Sequence, residues 1–309
     1  MAPIAFFQGK FVPLAEARIS IMTNGFLYGT ACFEGIRGNW NQDKQQLFIF
    51  RPAEHFQRLL DSCRILLIQL PHTIEDMVRI TAELVARCGY KEDVYIRPVA
   101  YKSSEGIGVR LHNLEADLAI VAVPFGTPPG VTRGLRCCIS TWQRIDDNAI
   151  PPRAKITGLY VNSALARSEA VARGYDEAIL LTREGHVSEG PGENIFLVVN
   201  GRLVTPPTYD NILIGITRDT VMELARNELG VDTEERCVDR SELYLAEECF
   251  LAGTLAHLAP VLEVDGRPIG DGRIGPVTRK LQELYLAVTR GDHPKYLEWC
   301  TPAYPTARA

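Results

Sequence analysis

Lys155 is the residue whose type and surroundings most strongly suggest covalent chemistry. It lies in the segment PPRAKITGLY, behind two prolines and five residues before Tyr160, and it is the only lysine between Lys102 and Lys280. Arginine stays protonated in proteins, whereas the surroundings of a lysine amine can make it neutral and nucleophilic. The ordinary alternative for a lone lysine is a solvated surface position. Motifs elsewhere in the chain must decide between these interpretations.

A nucleophilic lysine forms a Schiff base only with a carbonyl group of a cofactor or a substrate. If the cofactor is pyridoxal phosphate, the protein must also supply three partners. These are a carboxylate for the ring nitrogen, backbone amides at a helix start for the phosphate, and a hydrogen-bond donor for the ring hydroxyl. The sequence offers candidates for each of these groups.

The candidate segments each have a simpler interpretation when taken alone. VSEGPGENIF (187–196) carries Glu189 and Glu193 in a glycine-rich stretch that is also typical of a solvated hairpin. IGITRDTVMELA (214–225) places Thr217 at a helix start, where an ordinary N-cap explains it equally well. FLAGTLAHLAP (250–260) ends a predicted strand at Gly253, and Arg58 in EHFQRL is otherwise one more helix arginine.

Composition excludes several other classes of protein. The 309 residues favour two domains, and the net charge of −5 argues against a nucleic-acid-binding surface. The sequence contains no apolar run of the ~20 residues that a membrane helix needs, and the start lacks the features of a signal peptide. The eight cysteines lack C-x-x-C spacing and the six histidines are scattered, which predicts a cytoplasmic protein with no metal.

Hydrophobic periodicity and turn residues predict a mixed α and β fold, divided near residue 130. The predicted bounds are a domain at 1–125, an interdomain loop at 126–134 and a domain at 135–309. Helices are expected from Pro52, from Thr73 to about Gly89, and at about 163–175, 217–229, 241–247 and 276–289. Strands are expected at 94–101, 118–125, 135–142, 177–182 and 249–254, with hairpin turns at Gln8-Gly9 and Asn200-Gly201.

From Tyr28 to Pro276 the sequence resembles the branched-chain amino acid aminotransferases, which are fold-type IV pyridoxal-phosphate enzymes. The matching stretches occur in the order found in that family: FLYGTACFEGIR, EHFQRL, YIRP, PRAKITGLY, VSEGPGENIFLV, LIGITRDT and AGTLAH. The resemblance implies an α+β fold with a smaller N-terminal domain and a larger cofactor-binding domain. It also implies an active site between the domains, completed by a second subunit, and therefore a homodimer or a higher homo-oligomer.

The resemblance also implies a role for each matching position. Lys155 would form the internal aldimine and carry the proton between substrate Cα and cofactor C4′, Glu189 would pair with the pyridine nitrogen, and Tyr160 with the ring hydroxyl. The implied cofactor-binding residues are Arg58, Lys155, Tyr160, Glu189, Gly192, Glu193, Asn194, Leu213, Gly215, Ile216, Thr217, Gly253 and Thr254. The implied substrate-binding residues are Tyr28, Phe33, Tyr95, Arg97, Leu255 and Ala256.

Three departures from the family pattern concern the substrate. Phe125 and Pro128 stand where many members have tryptophan and tyrosine, and Leu255 and His257 alter the usual GTAAE turn. Arg110 and His112 form an Arg-x-His pair that resembles the carboxylate trap of D-amino acid aminotransferases, although a solvated loop pair is the simpler interpretation.

The expected activity is transamination between L-leucine, L-isoleucine or L-valine and 2-oxoglutarate. The alternatives are a D-amino acid or (R)-amine aminotransferase, a lyase of the aminodeoxychorismate type, and a non-enzymatic binding protein of the same fold. The FEGIR and YIRP matches speak against the lyase. Retention of Lys155, Tyr160 and Glu189 together speaks against the binding protein.

Overall fold

The computed structural model describes residues 3–305. The α-helices are α1 (Asn24–Tyr28), α2 (Pro52–Ile65), α3 (Ile74–Cys88), α4 (Pro129–Arg133), α5 (Tyr160–Ala172), α6 (Ile216–Leu224) and α7 (Pro276–Thr289). The strands are β1 (Ile4–Phe7), β2 (Lys10–Pro13), β3 (Ala31–Phe33), β4 (Ile36–Asn41), β5 (Gln46–Phe50), β6 (Val94–Lys102), β7 (Ala116–Pro124), β8 (Leu135–Ile139), β9 (Glu177–Ile179), β10 (Asn194–Val199), β11 (Arg202–Thr205), β12 (Thr233–Glu235), β13 (Glu248–Gly253), β14 (His257–Val264), β15 (Arg267–Pro268) and β16 (Cys300–Pro302).

The chain folds into two compact units, neither of which is continuous in sequence. The first unit comprises the described parts of Met1–Gly126, Ala154–Gly158 and Ala287–Ala309, and the second comprises Thr127–Arg153 and Leu159–Leu286. The segment 126–134, predicted as an interdomain loop, contains the short helix α4. The predicted domain bounds of 1–125 and 135–309 stay a prediction.

An antiparallel sheet forms the centre of the first unit. Its strand order is β16-β5-β4-β6-β7-β1-β2, and β3 also pairs with β6. The predicted turn between β1 and β2 is confirmed, since Gln8 and Gly9 both have positive φ, at 49° and 75°. Such angles suit a two-residue hairpin because they match the twist of the flanking strands. Helix α3 packs against β1 and β7, and α2 packs against α3 and β3.

Local sequence signals set the ends of α2 and α3. Pro52 occupies the first turn of α2, where its missing N–H costs no helical hydrogen bond. Thr73 and Asp76 form a capping box at the start of α3, and Gly89 ends that helix with φ of 67°. The apolar face of α2 buries Phe56, Leu59 and Cys63, whereas Leu60 is half-buried.

A mixed sheet forms the centre of the second unit, in the order β12-β11-β10-β13-β14-β8-β9, with β15 beside β14. Strands β8 and β9 are parallel, as expected for two strands joined through the helix α5. The hairpin of β10 and β11 turns at Asn200-Gly201, as predicted, with φ of 51° and 72°. Buried aliphatic side chains fill one face, among them Ile195, Leu197 and Leu251.

Several element bounds differ from the predictions. Helix α5 begins at Tyr160 rather than near residue 163, because the turn Thr157–Leu159 runs directly into it. Strand β9 ends at Ile179, and the predicted helix 217–229 is α6 followed by a π-helical turn, Ala225–Leu229. The predicted helix 241–247 is a 3₁₀ helix, Arg240–Tyr244.

Candidate functional site

The first unit holds the segment of Lys155 through backbone hydrogen bonds from two elements. The Lys155 N–H donates to Ser62 Oγ on α2 at 3.0 Å, and the Phe33 N–H donates to the Lys155 carbonyl oxygen at 3.0 Å. The Lys155 Nζ lies 5.1 Å from the centroid of the Phe33 ring. The lysine is half-buried. A solvated surface lysine therefore does not describe this position.

Arg58 is held by a fully buried carboxylate. Its Nε and Nη2 donate to Glu34 Oε1 and Oε2, both at 2.7 Å, which is the two-pronged geometry that guanidinium and carboxylate groups favour. Glu34 Oε2 also lies 2.7 Å from His55 Nδ1. Burial opposes ionisation of Glu34, but the Arg58 charge and the hydrogen bonds of His55 and Arg58 prevail, so the pKa of Glu34 is lowered. Burial lowers the pKa of His55, against the effect of Glu34.

Predicted substrate residues form a second group in the first unit. The Arg97 Nη2 donates to the Tyr95 hydroxyl at 2.8 Å, and the Arg97 guanidinium lies 4.3 Å from the centroid of the Phe33 ring. Phe33 thus contacts both Arg97 and Lys155. A Cβ atom at Gly35 would lie 2.2 Å from the Tyr95 hydroxyl oxygen, so only glycine fits beside this ring.

Tyr28 lies in the first unit together with Arg110, and its neighbour Gly29 accepts a hydrogen bond from Thr157 Oγ1 at 2.8 Å. Both residues line a cavity of about 180 Å³, and the Tyr28 hydroxyl accepts a hydrogen bond from the Gly108 N–H at 3.0 Å. Arg110 and His112 are both exposed. The altered position Phe125 packs on Tyr95, with ring centroids 5.9 Å apart.

In the second unit, Glu189 is a buried carboxylate within a network of donors. The Arg144 Nη2 lies 2.7 Å from Glu189 Oε1, and both side chains are 4% exposed. Glu189 Oε2 accepts from Asn194 Nδ2 at 2.9 Å and from the Leu213 N–H at 3.1 Å. A buried carboxylate needs such partners, and the cation and the two donors hold Glu189 in place in the interior of the second unit.

The start of helix α6 lies beside Asn194. The N-cap is Gly215, which has no side chain. No N-cap side chain therefore accepts a hydrogen bond from the first-turn N–H groups of Ile216 and Thr217. A Cβ atom at Gly215 would lie 2.0 Å from Asn194 Oδ1. The glycine therefore lets this helix start approach the residues around Glu189.

The turn that follows β13 lies beside the glycine-rich segment 190–193. A Cβ atom at Gly253 would lie 3.1 Å from the Gly192 carbonyl oxygen and 3.2 Å from Glu193 Cγ. The Glu193 carboxylate accepts from the Gly192 N–H at 3.0 Å. After Gly253 the chain turns through the half-buried Thr254 and Ala256 and the exposed Leu255.

Two charged side chains that contact predicted site residues had no predicted role. Glu34 lies in the FEGIR stretch. Its position between an aromatic residue and a glycine is the sequence pattern that could have indicated a site residue. Arg144 lies in STWQRIDD (140–147), which carries no pattern that separates it from a surface arginine. The helix of Tyr160 contacts Arg144, since Arg144 Nη1 donates to Ser163 Oγ at 3.3 Å.

The structure therefore connects many of the predicted residues into two sets, one in each unit. Lys155, Phe33, Tyr95 and Arg97 are connected in the first unit, where Arg58 lies on the helix whose Ser62 binds the Lys155 backbone. In the second unit, connected positions are Glu189, Asn194, Leu213, Gly215, Gly192, Glu193 and Gly253.

Comparison with known proteins defines the family. The model of the class IV amino-transferases matches residues 31–264, and the chain belongs to this family.

Similar proteins share one activity in their names. A probable branched-chain-amino-acid aminotransferase of Aquifex aeolicus (strain VF5) is 50% identical over 300 residues, covering 97% of this chain and 96% of that protein. The branched-chain aminotransferase of Thermoproteus uzoniensis, whose crystal structure was determined with norvaline, has a TM-score of 0.94 and 43% identity, covering 98% of this chain and 100% of that one. The branched-chain amino acid aminotransferase of Thermobaculum terrenum, in its PLP form, has a TM-score of 0.93 and 37% identity over 98% and 99% of the two chains.

Proposed function

We propose that this protein transfers amino groups between the branched-chain L-amino acids (leucine, isoleucine and valine) and 2-oxoglutarate, with pyridoxal phosphate as cofactor. The observation that carries the proposal is the near-full-length similarity to branched-chain aminotransferases, at up to 50% identity among the relatives described above. The family model and the Thermobaculum terrenum structure in its PLP form support the choice of cofactor.

The donor groups of this chain fit such a cofactor. Glu189 is buried and paired with Arg144, and so offers a carboxylate partner for a protonated pyridine nitrogen. The amides of Ile216 and Thr217, at a helix start opened by Gly215, offer a site for a phosphate dianion. Arg58 offers a guanidinium held in place by Glu34. Each group has the charge and the hydrogen-bonding sense that pyridoxal phosphate requires.

When bound, the cofactor supplies an electrophilic carbonyl carbon and a ring that withdraws electrons from the substrate Cα. Lys155 Nζ would hold that carbon covalently until the substrate amine displaces it, and the freed lysine amine would then accept the proton of the substrate Cα and return it. Glu189 would keep the proton on the ring nitrogen, with Arg144 holding the carboxylate in place. Tyr160 donates to the ring hydroxyl, Leu213 packs on the ring, and the amides at the start of α6 bind the phosphate. The remaining cofactor contacts proposed are Arg58, Gly192, Glu193, Asn194, Gly253 and Thr254.

The substrate pocket combines apolar surface with one cation. Phe33 and Tyr95 offer aromatic faces for an aliphatic side chain, and each methylene that they bury contributes about 0.8 kcal/mol. Arg97 offers a guanidinium for a carboxylate and is already oriented by Tyr95. This combination suits both leucine and 2-oxoglutarate. The other substrate contacts proposed are Tyr28, Leu255 and Ala256.

Homodimerisation and a cytoplasmic location complete the proposal. Large apolar side chains are strongly exposed in the first unit, notably Ile21 (77%), Ile107 (86%) and Val109 (90%). Exposed apolar groups of this kind are typical of protein interaction surfaces. Light scattering of the purified enzyme should give twice the chain mass of 34.4 kDa or a multiple of it.

Within residues 3–305, no helix is both long enough and apolar enough to cross a membrane.

A half-reaction panel tests the substrate. The holoenzyme is mixed with L-leucine, L-valine, L-alanine, D-alanine or an (R)-arylalkylamine, and the change in cofactor absorbance is followed. The rate should rise from L-alanine through L-valine to L-leucine. A faster reaction with D-alanine than with L-leucine would overturn the assignment in favour of a D-amino acid aminotransferase.

Substitution of Lys155 tests the catalytic role. Lys155→Ala should lower the rate by several orders of magnitude, since a covalent catalyst is lost. Borohydride reduction followed by peptide mapping should find the cofactor attached to Lys155 in the wild type. Lys280→Ala, at an exposed position, is the matched control and should keep full activity. Cofactor attached to a different lysine in the wild type would refute the assignment.

A further inference from the structure

Three side chains with metal-binding atoms meet in the second unit, and none of them has a role in the proposed reaction. They are His186, Asp210 and Cys237, and their ligand atoms all lie within 4.8 Å of one another. An imidazole nitrogen, a carboxylate oxygen and a thiolate sulfur are the three ligand types that proteins use for zinc. We propose that these residues bind one Zn²⁺ per chain, with a water molecule at the fourth position.

The spacing of the ligand atoms suits a tetrahedral ion. Zinc bonds of about 2.0–2.3 Å place neighbouring ligand atoms roughly 3.3–3.8 Å apart. The Cys237 Sγ lies 3.6 Å from Asp210 Oδ1. His186 and Cys237 are half-buried, so small side-chain rotations can bring the imidazole to the same spacing. The pair of Asp210 and Cys237 therefore needs little rearrangement to hold the ion.

Asp210 provides an independent indication of a ligand. This residue is only 5% exposed, and its Oδ2 has no hydrogen-bond partner within residues 3–305. A buried carboxylate oxygen without a donor is energetically costly, and nearly all such atoms in proteins have a partner. A divalent cation bound to Oδ2, or shared by both oxygens, would satisfy this carboxylate.

Backbone hydrogen bonds hold the three ligand segments together before any ion binds. The Val187 N–H donates to the Val238 carbonyl at 2.8 Å, which aligns the neighbours of His186 and Cys237. The Ser188 hydroxyl donates to the Asp210 carbonyl at 2.6 Å. The ligands therefore project from segments that are already fixed to one another, which lowers the entropy cost of binding a metal.

Neighbouring charges also favour a cation. Asp239 Oδ1 lies 3.8 Å from His186 Nε2, and Glu184 adds negative charge near Asp210. The nearby Arg236 is neutralised by Glu242, whose Oε2 lies 2.6 Å from Arg236 Nη2. A divalent cation would therefore meet a surplus of negative charge.

Zinc at this position would link the segment that carries Glu189 to the loop that carries Asp210. Asp210 and Leu213 lie on one short loop, and the Leu213 N–H donates to Glu189 Oε2. Bound zinc would tie the start of this loop to the segment 186–189. Because binding favours the folded state only, it should raise resistance to unfolding.

Zinc binding is measured on the cofactor-loaded enzyme after treatment with a chelator. The stripped protein is dialysed against ZnCl₂, the zinc per chain is counted by mass spectrometry, and affinity is determined against a chromophoric chelator. We expect one zinc per chain in the wild type. Cys237→Ser and His186→Gln should weaken binding by more than about 100-fold, since even indirect partners of metal ligands contribute 10- to 100-fold.

The matched control is His72→Gln, which removes another half-buried histidine and should leave zinc binding unchanged. Retained cofactor absorbance and circular dichroism establish that each variant is folded. Zinc should raise the urea midpoint of wild type and His72→Gln but not of His186→Gln. A second arm uses Co²⁺, whose absorption in the red lies outside the cofactor bands and should disappear in Cys237→Ser. The proposal is overturned if wild type binds less than stoichiometric zinc, or if Cys237→Ser and His186→Gln bind it as tightly as wild type.

Discussion

Replacing Arg144 with methionine should destabilise the second unit and disable the proposed cofactor partner. Arg144 Nη2 and Glu189 Oε1 are 2.7 Å apart and both side chains are 4% exposed, so their charges are about 4 Å apart with little screening by solvent. At an effective dielectric constant of about 20, this attraction is about 4 kcal/mol. Removing one member of such a buried pair costs roughly 3–5 kcal/mol, because the other charge stays buried.

A double-mutant cycle measures this coupling directly. The free energy of unfolding in urea is determined for wild type, Arg144→Met, Glu189→Gln and the double variant, all without cofactor. Since the double variant leaves no isolated buried charge, its loss should be smaller than the sum of the single losses by at least about 2 kcal/mol. Arg173→Met is the control, because Arg173 is 43% exposed and lies 3.5 Å from Glu169. That exposed pair should contribute less than about 1 kcal/mol.

The same variants should separate catalysis from cofactor binding. With cofactor present, Arg144→Met and Glu189→Gln should both slow the half-reaction with L-leucine more than they weaken cofactor retention. Additive stability losses in the double variant would show that the two residues do not act as a pair. A Glu189→Gln enzyme with the wild-type rate would show that a different group holds the ring-nitrogen proton.

Three further perturbations test the site. Glu34→Gln should weaken cofactor retention, measured by equilibrium dialysis, because Arg58 loses its buried carboxylate partner. In the wild type the pKa of Glu34 is lowered. The contribution of Glu34 to the stability of the fold should therefore be present above a pH of about 4.5 and be lost as the pH falls. Burial and a neighbouring carboxylate raise the pKa of Glu177 from 4.5 to about 7. The free energy of unfolding of the wild type should therefore decrease as the pH rises from 4.5 to about 7. In urea titrations, Glu177→Gln should remove up to about 3 kcal/mol of this decrease. Gly35→Ala should displace Tyr95 and raise KM for L-leucine, with a stability loss of about 1–3 kcal/mol. An unchanged pH profile for Glu177→Gln, unchanged cofactor retention in Glu34→Gln, or an unchanged KM for Gly35→Ala would contradict the corresponding argument.

Elements with local signals were predictable from sequence. The start of α3 follows from Thr73 and Asp76, and its end from Gly89, because capping involves only neighbouring residues. The turn at Asn200-Gly201 follows from the preference of those residues for positive φ. The family motifs supplied the order and chemistry of the cofactor groups.

Contacts between residues distant in sequence were not predictable. Arg144 reaches Glu189 across 45 positions, and the arginine lies in a segment with no periodic pattern. The zinc ligands proposed above lie 24 and 27 residues apart, and only one of them is a histidine. No short motif links them, which is why the sequence predicted no metal. The helix α5 begins earlier than its hydrophobic pattern predicts because a 3₁₀ turn at Thr157–Leu159 precedes it. Tertiary packing decides the first two of these features, and the local 3₁₀ turn decides the third.

The discontinuous make-up of the first unit bears on how the chain is synthesised and folded. Its sheet begins with β1 at Ile4, but the edge strand β16 that pairs with β5 is Cys300–Pro302. A ribosome must therefore translate nearly the whole protein before this sheet can be completed, and β5 waits with an unpaired edge. A gene fragment that ends near residue 130 lacks β16 and the segment of Lys155. Such long-range pairing slows folding and prolongs exposure of aggregation-prone edges, so shielding of the nascent N-terminal half by a chaperone would favour correct folding.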